Sequence, residues 1–129
     1  LSTAELEEVV SSHPSVAECA VIGINDALKG QIPLALVVVK LNDEIEHYQL
    51  QQETIKLVRQ QIGAVASLQN VVIVERLPKT RSGKILRKLM RSIADGESFQ
   101  IPSTIDDESI VDEIDGVLKK YNIGIYTIK

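Results

Sequence analysis

The chain has 129 residues, 44% of them apolar and 25% charged, with a formal net charge of -4 at neutral pH. That length makes one domain able to bury about two-thirds of its unfolded surface, which excludes wholesale disorder. The single cysteine, Cys19, excludes an internal disulfide and an all-cysteine metal site and fits a reducing compartment.

The first helix starts at Ser2 or Thr3 and runs to about Ser12. Ser2 and Glu5 form a capping box, and Leu6, Val9 and Val10 supply the apolar stripe. His13-Pro14 ends it, because a residue before proline avoids the helical region. Residues 16–24 read as a strand, and 23–30, with Asn25-Asp26 and Lys29-Gly30, as a loop. Residues 34–40 form a second strand whose unbroken apolar run predicts burial on both faces. A polar stretch around Asn42-Asp43 leads into a longer helix ending near Ile62. Ile55, Val58 and Ile62 mark its buried face and Gly63 its exit. Residues 71–74 make a third, short strand.

A Pro-Lys-Thr-Arg-Ser-Gly loop follows, then a helix from about Lys84 to Ala94 with Ile85, Leu86, Leu89, Met90 and Ile93 on one side. Residues 96–102 read as a linker. The last amphipathic helix carries Ile110, Ile114, Val117, Leu118 and Tyr121 at helical spacing, and 123–129 is a short strand or a loose tail. The element order is not a strict βαβ alternation. It predicts an α+β domain, with a small, mainly antiparallel or mixed three-stranded sheet flanked by helices.

No apolar run approaches the ~20 residues of a membrane helix. The first residues also lack the layout of a signal peptide. The chain begins in helix-forming sequence without an initiator Met, so we read it as part of a longer polypeptide.

The net charge hides an asymmetry. Positions 76–91 hold seven of the fourteen Lys and Arg residues and no acid, whereas 95–115 hold eight acids and no base. Within the basic block, Pro78 and Gly83 bracket a turn, and Thr80 or Ser82 can cap the helix that follows. Lys84 then falls in that helix's first turn, a place that disfavours a cation by about 0.3–1 kcal/mol. Arg81 adds to the repulsion. Placements that oppose a local rule belong mainly to functional sites, and an anion here would meet free N–H groups, the dipole and two cations. The alternative is a solvated lysine whose cost is screened. The stretch is not a nucleotide-binding P-loop, which needs Gly and Ser or Thr where this chain has Pro78 and Ile85.

Pro78-Lys79-Thr80-Arg81-Ser82-Gly83-Lys84 resembles the closing motif of adenylate-forming acyl-CoA synthetases, the acetyl- and propionyl-CoA synthetase branch in particular. The likeness extends over 1–121. Ser2-Thr3-Ala4-Glu5-Leu6-Glu7 resembles the segment after the family's hinge, and Val16-Ala17-Glu18-Cys19-Ala20-Val21-Ile22-Gly23 its first core strand. Lys29-Gly30-Gln31-Ile32-Pro33-Leu34-Ala35 and Val58-Arg59-Gln60-Gln61-Ile62-Gly63 also fit, in order and at matching spacing. Residues 122–129 resemble nothing in the family and stay an unassigned tail.

The resemblance implies a C-terminal lid domain, inactive alone, that rotates between two poses against an N-terminal adenylation domain of the same polypeptide. That larger domain binds the small carboxylic acid and most of ATP and Mg2+. Lys84 is then the catalytic lysine of acyl-adenylate formation, with Arg81, Ser82 and Gly83 as phosphate or substrate contacts. In the second pose Arg59 holds the nucleotide phosphate of CoA, the thiol substrate, and residues 23–30 border the pantetheine path. Ser11, His13 and Val16 match a cation-binding turn; Ser11 replaces the usual aliphatic residue, which ligation through backbone carbonyls tolerates. Lys84 is also the expected target of a protein acetyltransferase and deacetylase, since acetylation removes its charge. The implied location is the cytoplasm, or the mitochondrial matrix in a eukaryote, with no membrane or nucleic-acid partner. The 32–36 strand and Ser103-Thr104-Ile105-Asp106-Asp107 look more like propionyl- than acetyl-CoA synthetases.

Two other readings stand beside this one. The chain could be the same domain of another adenylating enzyme, or a stand-alone module holding polyanions on the 76–91 block. With three Tyr, one Phe and no Trp, stacking platforms for nucleic acid are scarce.

Overall fold

The computed structural model describes residues 2–64 and 68–128. Leu1 and Lys129, which end three of the ranges above, lie outside the described residues. The elements are α1 (Thr3–Ser11), β1 (Val16–Asp26), β2 (Gly30–Val39), α2 (His47–Gln61), β3 (Asn70–Ile73), α3 (Arg87–Asp95) and α4 (Ile110–Tyr121), closed by a 3-10 turn at Gly124–Tyr126. Helices and a three-stranded mixed sheet make the expected α+β fold.

β2 is the central strand. It pairs antiparallel with β1, Ala20 facing Leu36, and parallel with β3, Leu36 facing Val72. The parallel pair requires a crossover, and α2 with its flanking loops supplies it. Side chains alternate across the sheet, so the strands feed two cores. Ala20, Ile22, Ile24, Leu34, Leu36 and Val72 pack with α3 and α4. Cys19, Val21, Ala35, Val37, Val71 and Ile73 pack with α1 and α2. This two-sided burial is what the continuous apolar run of the second strand predicts.

The local signals act largely as read. Glu5 N–H donates to the Ser2 hydroxyl at 3.2 Å, which caps α1. Gly63, with φ +115, follows the end of α2 in the left-handed region favoured by glycine.

Three expectations change. Residues 23–30 are not a loop: β1 and β2 extend through both glycines, and only 27–29 turns. Asp26 accepts the N–H groups of Leu28 at 3.1 Å and Lys29 at 2.8 Å, so one carboxylate closes that tight turn. The third helix begins at Arg87, not Lys84, for reasons given below. Residues 123–128 are neither strand nor loose tail. Its 3-10 turn docks against α3: Tyr126 donates its hydroxyl to Asp115 at 2.7 Å, and Gly124 lies so close to the Ala94 carbonyl that a Cβ would collide with it.

Candidate functional site

Residues 78–86 fold as a hairpin rather than a helix start. Lys79 and Ile85 pair antiparallel, and Thr80 N–H donates to the Lys84 carbonyl at 2.9 Å. Gly83 N–H returns to the Thr80 carbonyl at 2.9 Å, which closes a turn over Arg81 and Ser82. Gly83 follows at φ +92, the left-handed residue that a three-residue hairpin loop requires. Thr80 does cap, but not a helix: its hydroxyl accepts Lys84 N–H at 3.1 Å and pairs with the Ser82 hydroxyl at 3.0 Å. Leu86 N–H donates to the Pro78 carbonyl at 2.9 Å, so the chain enters helix only afterwards. Lys84 therefore stands three residues before α3, outside the first turn where the helix dipole would disfavour a cation.

The basic block is partly neutralised. Lys79 donates to Glu18 on β1 at 2.8 Å, anchoring the hairpin stem. Arg87 pairs with Glu7 of α1, whose carboxylate also accepts Val21 N–H at 2.9 Å. Arg76 binds Asp107 at 2.8 Å and also Glu113. This pairing raises the Arg76 guanidinium further. Asp107, bonded to the Ser109 hydroxyl and N–H and to Arg76, is pulled down to about 2. Lys84 is exposed and, among the described residues, has no carboxylate within 4.0 Å. It borders an open groove of about 840 Å³ lined by Ile85, Leu86, Leu89, Phe99 and Pro102, with Lys88 beside it.

Arg81, Ser82, Gly83 and Lys84 thus lie together on one exposed turn. Arg59 does not join them. It is exposed near the end of α2, the helix whose Leu50 and Val58 belong to the opposite core. The two sites sit on opposite sides of the sheet.

The turn at 11–16 is a third, separate place. His13 is nearly buried; its Nδ1 accepts Ser15 N–H at 3.0 Å and its Nε2 meets Glu53 at 2.7 Å. That hydrogen bond holds Glu53 below the usual carboxylate range. Ser11 bonds to Cys19 at 3.1 Å, and burial pushes that thiol up. Val16 has no donor atom in its side chain. Both ring nitrogens of His13 and the Ser11 hydroxyl thus already have partners within the fold. Among the described residues no three His, Cys, Asp or Glu side chains gather within reach of one ion. Among them, too, no helix is long and apolar enough to cross a membrane.

Sequence reasoning missed Glu18, Arg76 and Asp107 as supports of the hairpin. The Thr80 hydroxyl was within reach, since a threonine three positions before a left-handed glycine suits a hairpin turn as well as a cap.

Residues 5–84 match the AMP-binding enzyme C-terminal domain family. An uncharacterised protein of Pseudomonas aeruginosa is 58% identical over 124 residues, 96% of this chain and 20% of that protein. The mitochondrial acyl-CoA synthetase short-chain family member B of Dictyostelium discoideum is 46% identical over 124 residues, 96% of this chain and 18% of that protein. Among solved structures, an acyl-CoA synthetase of Brucella canis superposes with a TM-score of 0.64 at 34% identity, covering 70% of this chain and 16% of the other. The chain spans about a fifth of the length of the curated relatives it matches.

Proposed function

The chain belongs to the AMP-binding enzyme C-terminal domain family, and from that premise we propose that it is the mobile lid of a short-chain, propionyl- or acetyl-type, acyl-CoA synthetase. The larger part of that polypeptide would bind ATP, Mg2+ and the carboxylic acid. Lys84 would enter its site while acyl-adenylate forms. Carboxylate attack on the α-phosphate brings two anions together, and a cation fixed beforehand offsets their repulsion and stabilises the transition state. One observation carries this reading: Lys84 is an exposed ammonium without a carboxylate partner among the described residues, set at the tip of a hairpin pinned on both flanks. Arg81, Ser82 and Gly83, on the same turn, are placed to touch phosphate or substrate with it.

Arg59 would serve the second half-reaction, holding the nucleotide phosphate of CoA. Its place across the sheet from Lys84 supports alternation, because two remote faces cannot meet one active site in the same pose. The turn at 11–16 would hold a cation through the carbonyls of Ser11, His13 and Val16, its side chains being committed elsewhere. An exposed Lys84 is also open to an acetyltransferase and deacetylase, and neutralisation would silence adenylation. The domain alone is expected to be inactive, and the intact enzyme is assigned to the cytoplasm or mitochondrial matrix.

The test uses the full-length polypeptide. Lys84→Ala should slow adenylate formation about 10²–10³-fold and spare thioester formation from supplied acyl-adenylate. Arg59→Ala should do the reverse, raising KM for CoA while leaving adenylation intact. An undiminished adenylation rate in Lys84→Ala would refute the assignment.

A further inference from the structure

We propose that residues 103–107 are a positioning strap for Lys84, pairing with the outer edge of its hairpin and locked to the hairpin's entry through Arg76. The inference rests on the reading of Lys84 as the adenylation cation. A two-stranded hairpin is marginal in water by itself, and the inner bonds of this one leave its 79–81 edge free. The strap fills that edge. Thr80 pairs antiparallel with Ile105. Arg81 N–H donates to the Thr104 carbonyl at 2.9 Å, Asp106 N–H to the Lys79 carbonyl at 3.0 Å, and the Arg81 guanidinium to the Ser103 carbonyl at 3.1 Å.

The strap is itself fixed at two points. Ile105 is buried in the core shared with α3 and α4. Asp107 accepts from Ser109 N–H at 2.9 Å, the Ser109 hydroxyl at 2.7 Å and Arg76 at 2.8 Å. Arg76 stands directly before Leu77-Pro78, where the chain enters the hairpin, and also grips Glu113 on α4. One guanidinium thus ties the end of the strap to the start of the hairpin. Asp107 itself is no contact of Lys84, so it acts through the strap: a positioning residue, not a catalytic one. Its value follows from geometry, because a misplacement of about 1 Å at a reacting centre can cost about 100-fold in rate.

The full-length polypeptide carrying Asp107→Ala should form acyl-adenylate about 10- to 100-fold more slowly and convert supplied adenylate to thioester at the parental rate. Asp107→Asn, which keeps an acceptor for Ser109, should lie between. The Asp107→Ala, Lys84→Ala double variant should be no slower than Lys84→Ala alone, since Asp107 works only through Lys84. Amide exchange at Arg81 and Asp106 should quicken in Asp107→Ala while α1 and α2 keep their protection. Should the alanine variant fail to fold, Asp107→Asn carries the same comparisons. Defects that multiply in the double variant, or a parallel fall in both half-reactions, would overturn the strap as a positioning device. Unchanged exchange at Arg81 and Asp106 would do so too. An unimpaired Lys84→Ala enzyme would instead overturn the reading of Lys84, and the exchange data would still report whether the strap holds the hairpin.

Discussion

Gly83→Ala tests how firmly the hairpin holds its own backbone. Nothing lies within 4 Å of where the new Cβ would sit, so the methyl meets no obstacle. The cost is purely conformational: an L-residue held at φ +92 is strained by about 1–2 kcal/mol. The chain could relieve that strain by rotating Gly83 back. Doing so would sacrifice the Gly83–Thr80 and Thr80–Lys84 bonds and disturb the Arg81–Thr104 pair, each worth about 0.5–1.5 kcal/mol net. Losing all three outweighs the strain, so the backbone should stay and the stability should fall. For a chain of this size the expected drop in Tm is about 3–10 °C, followed by circular dichroism. Gly83→Asn should lose less, because a short polar side chain tolerates the left-handed region, and Gly83→Val more. An unchanged Tm would refute the reasoning, since it would mean that the turn relaxes freely and its hydrogen bonds do not hold the backbone.

The docked end of the chain should respond differently to the same change. In Gly124→Ala the Cβ would strike the Ala94 backbone, which cannot step aside, so the 3-10 turn should undock and limited proteolysis should cut after Asn122. Leu36→Ala, at a fully buried centre of the sheet, should cost about 2–5 kcal/mol. Leu28→Ala, 96% exposed at the hairpin tip, should stay within about 0.5 kcal/mol of the parent; urea titration compares the two. Asp107 provides a pH signature. Its carboxyl is lowered from 3.8 to about 2 in the fold, so the unfolded chain binds its proton first and the stabilisation, complete above that range, fades as pH falls through it. The stability gap between the parent and Asp107→Asn should therefore narrow on acidification over that window, and a constant gap would contradict the ion pair.

Where structure is set by neighbours in sequence, it was legible. Ser2 caps α1, Gly63 follows the end of α2, and the unbroken run from Leu34 to Val37 marks the strand buried on both sides. Where it is set by remote partners, it was not. Asn25-Asp26 and Lys29-Gly30 are true turn signals, but they bracket only 27–29; how far β1 and β2 run towards them is decided by cross-strand pairing. Thr80 and Ser82 suit a helix cap and a hairpin turn equally, and the choice is made by residues 104–106, more than 20 positions on. Lys79 finds Glu18 across 61 positions with no local trace of the pairing. The site's residues could therefore be named from their motif, while the rigidity of their turn could not.

The opposed charge blocks gain a physical sense from these pairings. Of the seven cations in 76–91, Arg76, Lys79 and Arg87 are held by carboxylates, and two of those carboxylates, Asp107 and Glu113, come from the acidic run. Part of the acidic run thus belongs to the scaffold that bears the bases. A surface for nucleic acid works by summing phosphate contacts, and its affinity falls with salt in proportion to their number. Seven free cations would give a slope of about -6 in log K against log salt. The four without carboxylate partners among the described residues limit it to no more than about -4, and the scarcity of aromatic platforms removes the stacking that would compensate. Neutralising its neighbours has the opposite value for one reactive cation, since among the described residues it leaves unpaired charge in the block only at Arg81 and Lys84 of the turn and at Lys88 and Arg91 of α3. A DNA titration with the steeper slope would require Arg76, Lys79 and Arg87 to abandon the contacts that build the hairpin, and it would count against a single-cation site.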